Sequence, residues 1–103
     1  MKESAKLERA LQSMPWEVIV QHSNGTDDIE VLAERATEAA TEENTSVLNV
    51  LLTYAKETLE TYEGGGDNRH VNYEMKEDDP ETWKTERSEI KQYIKKLEKY
   101  IKG

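Results

Sequence analysis

Apolar positions are densest between Ser46 and Tyr62 (SVLNVLLTYAKETLETY). Projected at about 100° per residue, Val47, Leu48, Val50, Leu51, Leu52, Tyr54, Ala55, Leu59 and Tyr62 fill roughly 200° of arc, and Asn49, Thr53, Lys56, Glu57, Glu60 and Glu63 hold the rest. That is about twice the stripe a surface helix needs. The pattern predicts a central helix with neighbours on two sides.

Before it, Asp27 to Glu43 (DDIEVLAERATEAATEE) places Ile29, Leu32, Ala36 and Ala39/Ala40 on one face, with Asp27 and Glu30 spaced as an N-terminal capping pair. Asn44, Thr45 and Ser46 then make a short connection, which implies an antiparallel neighbour. Lys2 to Gln12 predicts a first helix, with Ser4 as N-cap and Leu7, Ala10, Leu11 and Met14 at helical spacing. Pro15 to His22 (PWEVIVQH) fits two readings equally. Trp16, Val18 and Val20 alternate as a strand would, and β-branched residues are frequent, yet Pro suits a helix start and Asn24-Gly25 a helix end.

After the central helix, residues 64–69 open on three glycines and read as a flexible loop. His70 to Lys76 (HVNYEMK) alternates Val71, Tyr73 and Met75 with polar residues, which predicts a short strand or extended segment. Asp78-Asp79-Pro80-Glu81 then starts a helix reaching about Lys102, with an acidic cap and Pro at the first helical position. Its apolar residues Trp83, Ile90, Ile94, Leu97 and Ile101 are heptad-like, interrupted by Arg87. The seam either packs on the chain's own core or, through Ile90, Ile94, Leu97 and Ile101, joins a second copy.

The expected fold is therefore mainly α: a single small domain over residues 1–103, about four helices around a central apolar one, with one or two short extended or β segments. Composition narrows the functions such a domain can have. There is no Cys, which excludes disulfides, thiolate metal sites and a cysteine nucleophile. No secretory segment follows Met1 and no apolar run approaches a membrane span, so a cytoplasmic protein is expected. The 22 acidic and 14 basic residues leave a net charge of -8. Residues 80–103 hold seven Lys/Arg and four Glu, so residues 1–79 hold seven basic and eighteen acidic residues. Direct nucleic-acid binding needs a basic footprint. An acidic body favours basic partners instead.

Little in the chain points to catalysis. His22 and His70 have no second His or Cys at ligand spacing. The triple glycine lacks the second half of a phosphate-binding loop, and Glu77-Asp78-Asp79 lacks calcium-loop spacing and is explained by helix capping. No nucleophile, base and orienter can be assembled. We expect a non-enzymatic protein with no cofactor and no metal.

One feature opposes helix stability. Glu30, Glu34, Glu38 and Glu42 are four like charges at successive i, i+4 positions, each pair destabilising by about 0.2–0.5 kcal/mol. The ladder is solvated surface, or pairs internally with Lys84, Lys91, Lys95 and Lys99 of the last helix, or imitates a nucleic-acid charge track. Four residues of helix rise about 6 Å, against about 3.4 Å per phosphate along one DNA strand, so spacing does not decide.

Val47-Leu48-Asn49-Val50-Leu51-Leu52, the Gly/Asp loop after it and Asp78-Asp79-Pro80-Glu81 resemble colicin-type nuclease immunity proteins over about half the chain. Those are small acidic helical proteins that cover the basic surface of a nuclease. The family's paired tyrosines in a short helix are missing, with only Tyr73 in that region, so the resemblance illustrates a class and assigns no membership. The leading expectation is a binding or inhibitor protein whose acidic face, Glu30, Glu34, Glu38 and Glu42 with Asp27 and Glu43 at its margins, occupies the basic surface of a protein partner such as a nucleic-acid-acting protein. The alternative is a self-associating module, a homodimer through the last helix.

Overall fold

The computed structural model describes residues 3–23, 28–64 and 71–102. Among them are six helices and no strand: α1 (Glu3–Gln12), α2 (Trp16–His22), α3 (Ile29–Glu43), α4 (Val47–Glu63), α5 (Val71–Asp78) and α6 (Pro80–Lys102). The mainly helical expectation holds, and its two extended segments are replaced by α2 and α5. Residues 65–69 of the expected loop, and Asp27 of the acidic face, lie outside the described residues.

The central helix is where the sequence places it. α4 packs against all five other helices, whereas the principal neighbours of α3 are α2 and α4 and those of α6 are α1, α2, α4 and α5. Its breadth of apolar surface explains this. Leu48, Val50, Leu51, Ala55 and Tyr62 are buried, and Val47, Leu52, Tyr54 and Leu59 pack against the core more partially. Ser46 caps the helix, its Oγ accepting from the Asn49 amide at 3.2 Å. Gly64 ends it in the left-handed region at φ 77°, its N–H donating to the Glu60 carbonyl.

The α2 segment settles as helix because of where its apolar residues go. A strand would place Trp16, Val18 and Val20 on one face, but Val18 is fully buried while Trp16 and Val20 stand in solvent. Pro15 supplies the preset φ of a helix start, and its carbonyl accepts from the Val18 and Ile19 amides at 3.1 and 3.3 Å. α5 corrects the strand reading of His70 to Lys76 in the same way from Val71 onward, His70 lying outside the described residues. Val71 is 67% exposed, whereas Tyr73 and Met75 are half-buried. Alternation in so short a run was coincidental with strand spacing, since no partner strand exists among the described residues to accept its backbone.

Two caps differ by small steps from the expectation. Asp28, one residue after Asp27, caps α3 by accepting from the Glu30 amide at 2.9 Å, and Ser4 lies inside α1 rather than before it. α5 extends to Asp78, so Asp79 alone is the hinge into α6. Its carboxylate accepts from the Thr82 amide at 3.3 Å and from the Thr82 hydroxyl at 2.7 Å, with Pro80 at the first helical position.

Polar bonds then fix the helices relative to one another. Tyr93 donates to the Ala10 carbonyl at 2.7 Å, joining α6 to α1. The Trp83 indole donates to the Tyr62 carbonyl at 2.9 Å, joining α6 to α4. Arg87 reaches Glu63 Oε2 through Nη2 at 2.5 Å and Nε at 3.1 Å, and with Lys76 it flanks the Trp83 ring at 5.4 and 5.3 Å from the centroid.

Candidate functional site

On α3 the acidic ladder and the core stripe are interleaved two residues apart: Glu30 with Leu32, Glu34 with Ala36, Glu38 with Ala40. Two residues turn a helix by about 200°. The glutamates therefore lie on the side diametrically opposite the buried stripe. Leu32, Ala36 and Ala40 are buried, while Glu30, Glu34, Glu38, Glu42 and Glu43 are all exposed. Small alanines let α3 seat closely against α4, and this fixes the rotation that turns the ladder outward.

The ladder is not answered by the basic helix. Among the described residues no ion pair links it to Lys84, Lys91, Lys95 or Lys99, and the ion pair present is that of Arg87 with Glu63. α3 also has no basic residue in its last turn, so Glu42 and Glu43 sit at the negative end of the helix dipole uncompensated. Arg35, the one cation on α3, turns away from the ladder: its Nη1 donates to the His22 carbonyl at 2.7 Å, tying α3 to the end of α2.

The other sequence candidate, the α6 seam, is largely committed to the monomer core. Ile90 and Leu97 are fully buried and Ile94 nearly so, and only Ile101 is exposed. An interface through that seam would require the core to open.

Two polar clusters lie inside the bundle. Glu17 of α2 has its Oε2 buried without a hydrogen-bond partner. Burial raises its carboxyl above the usual range, with repulsion from Glu86 and Glu89 adding to the effect and a backbone hydrogen bond opposing it. Across from it, Tyr62 donates to Glu86 Oε1 at 2.6 Å. In the second cluster His22 stacks flat on Tyr54, with ring centroids 4.4 Å apart and planes 6° from parallel. Its Nε2 is buried and unpartnered. Burial lowers the imidazole below its ordinary value and the Arg35 guanidinium adds to this, against a Tyr54 backbone interaction that favours the charged form. Among the described residues no group of three or more His, Asp or Glu is arranged to hold a metal ion, and no helix is long and apolar enough to cross a membrane.

The residues that sequence reasoning missed are Trp16 and Val20, one turn apart on the outer face of α2 at 58% and 39% exposure. Helical projection of Pro15 to His22 was the signal that separates them from Val18, and it competes with an equally regular two-residue alternation. Comparison with family models, with curated proteins and with solved structures found no match.

Proposed function

We propose that this protein is a non-enzymatic binding protein that lays the outer face of α3 on a basic surface of a protein partner. One observation carries the reading: four exposed glutamates in register with the helix, directly opposite its buried stripe and unpaired with the lysines of α6. The arrangement weakens its own helix, a cost in stability that a binding role explains. From Glu30 to Glu42 the face spans about 18 Å, room for several cationic side chains of a partner. Nucleic-acid-acting proteins, whose phosphate-binding surfaces are basic, are the partner class it fits best. Electrostatic attraction across such a face speeds association and makes it salt-sensitive.

The test is capture from source-cell lysate at about 50 mM and about 300 mM salt, comparing the protein with a Glu34→Lys, Glu38→Lys variant of confirmed helicity. A basic protein held only by the unmodified chain and released by salt supports the reading. Identical capture by both chains overturns it.

A further inference from the structure

His22 closes α2 at a junction of three helices. Its ring lies flat on Tyr54 of α4, with centroids 4.4 Å apart, and its carbonyl accepts from Arg35 of α3 at 2.7 Å. The ring's Nε2 is buried and has no hydrogen-bond partner. We propose that this junction is a protonation-sensitive latch: a neutral His22 holds the last turn of α2 against α3 and α4, and protonation in mild acid releases that turn.

The orphaned nitrogen is the first support. A neutral imidazole carries one N–H and can leave Nε2 bare, whereas the charged ring presents an N–H at both nitrogens. At Nε2 the second N–H would enter the protein with no acceptor and forfeit the hydration it has in water. Arg35 is the second support. A cation in the last turn of a helix is ordinarily favoured by the free carbonyls there. Here the Arg35 guanidinium already holds the final carbonyl of α2, so a charged His22 adds like charge beside it. Burial and Arg35 accordingly hold the imidazole below its ordinary value, against the Tyr54 backbone. The face of the Tyr54 ring also attracts a cation, but it gives Nε2 no acceptor. Glu43 of α3 and Glu57 of α4 act on the Tyr54 phenol, and Glu86 and Glu89 of α6 act on Glu17 in the first turn of α2. The docked turn is therefore complete above the ordinary value of 6.5 and weakens as pH falls through the lowered one.

Packing confines the release to the end of α2. Val18, one turn before His22, is fully buried and holds the first half of the helix to the core. Helix ends open at lower free energy than buried interiors. Ser23, buried directly after His22, would be drawn out with it.

The experiment follows the full chain by proton NMR between pH 7.5 and pH 5, about the span over which His changes charge. Three chains are compared: the unmodified protein, His22→Phe and Arg35→Gln. The His22 ring is expected to titrate below 6.5, and its cross-relaxation with the Tyr54 ring should disappear along the same curve. Protection of the Val20, Gln21 and His22 amides from hydrogen exchange should fall by at least about threefold relative to α4. In His22→Phe the substituted ring should stay on Tyr54 throughout, with constant relative protection. Arg35→Gln should raise the His22 midpoint, which tests the like-charge contact in a chain that keeps the imidazole. A His22 midpoint at or above 6.5 overturns the latch, as does a charged ring that stays in contact with Tyr54. Loss of protection in α4 parallel to that in α2 makes the opening global and overturns it too, and so does release that persists in His22→Phe.

Discussion

Tyr62 and Glu86 join the central helix to the last one through a 2.6 Å bond from phenol to carboxylate. The bond fixes the acceptor at the inner edge of α6, and burial together with the neighbouring acids pushes the Tyr62 phenol well above its usual range, so it remains a donor through alkaline pH. Tyr62→Phe keeps the ring in the core and removes the donor. We expect a loss of about 1.5–3 kcal/mol in urea unfolding, the range for a hydrogen bond to a charged group, with an unchanged denaturant slope. A smaller loss with the same slope would show that Glu86 finds water in place of the phenol.

Glu17 confronts the same acids from α2, with one carboxylate oxygen buried and unpartnered. A carboxyl raised in the folded state binds more protons there than in the unfolded chain, so its penalty is absent in acid and grows as pH rises through the raised value. Glu17→Gln removes that penalty at neutral pH. The variant should unfold at higher urea than the unmodified protein at pH 7, and the advantage should shrink as pH falls toward the ordinary carboxylate range.

His22 works in the opposite sense. Its lowered value means that the unfolded chain binds the proton more readily, so stability is full above the ordinary value of 6.5 and declines as pH falls toward the lowered one. His22→Phe keeps a flat ring on Tyr54 and carries no proton. The difference in unfolding free energy between the two proteins, measured between pH 7.5 and pH 5 (about the span over which His changes charge), should fall with pH on the His22 side. A flat difference would mean that the imidazole reaches water when charged.

The sequence made α4 legible because its apolar arc is too wide for any strand and too long for a loop, and α3 and α6 because their periodicity persists over several turns. Asp79 and Gly64 announced their helix boundaries by chemistry that works within four residues, whereas Ser46, read as part of a connection, is the cap of α4. α2 and α5 were not legible. At seven and eight residues they offer two turns at most, over which alternation and helical spacing coincide, and they are helical because α4 and α6 are there to receive Val18 and Tyr73. The acidic face was legible as residues. Its outward rotation follows from the alanines beside it, and whether the lysines of α6 would answer it depended on which helices become neighbours, a tertiary fact.

Gly64 meets Tyr73 so closely that a Cβ built on it would lie 2.9 Å from the ring. The φ of 77° adds a conformational cost of its own for any L side chain. Gly64→Ala should destabilise by about 1–2 kcal/mol from the left-handed backbone alone, and more with the clash. Adding Tyr73→Ala should recover the clash component and leave the backbone component, so the two losses should be less than additive when measured as a double-mutant cycle.

If α3 is shaped for a partner, its stability and its binding must trade against each other. Glu42 lies in the last turn, where the helix dipole disfavours an anion, and it repels Glu38 one turn back. Glu42→Lys should therefore raise the unfolding free energy by about 0.7–2 kcal/mol, summing the removed repulsion, the new i, i+4 attraction and the reversed dipole interaction. The gain should diminish with salt. Binding of oligolysine should weaken in the same variant, and its salt dependence should become shallower. A control at Lys95→Glu, on the exposed side of α6 away from the proposed face, keeps the overall change in charge from explaining both effects, since it should leave α3's stability untouched while adding negative charge. Destabilisation by Lys95→Glu matching the gain from Glu42→Lys would place the effect in long-range charge balance and remove the conflict between helix and ladder on which the acidic-face reading depends.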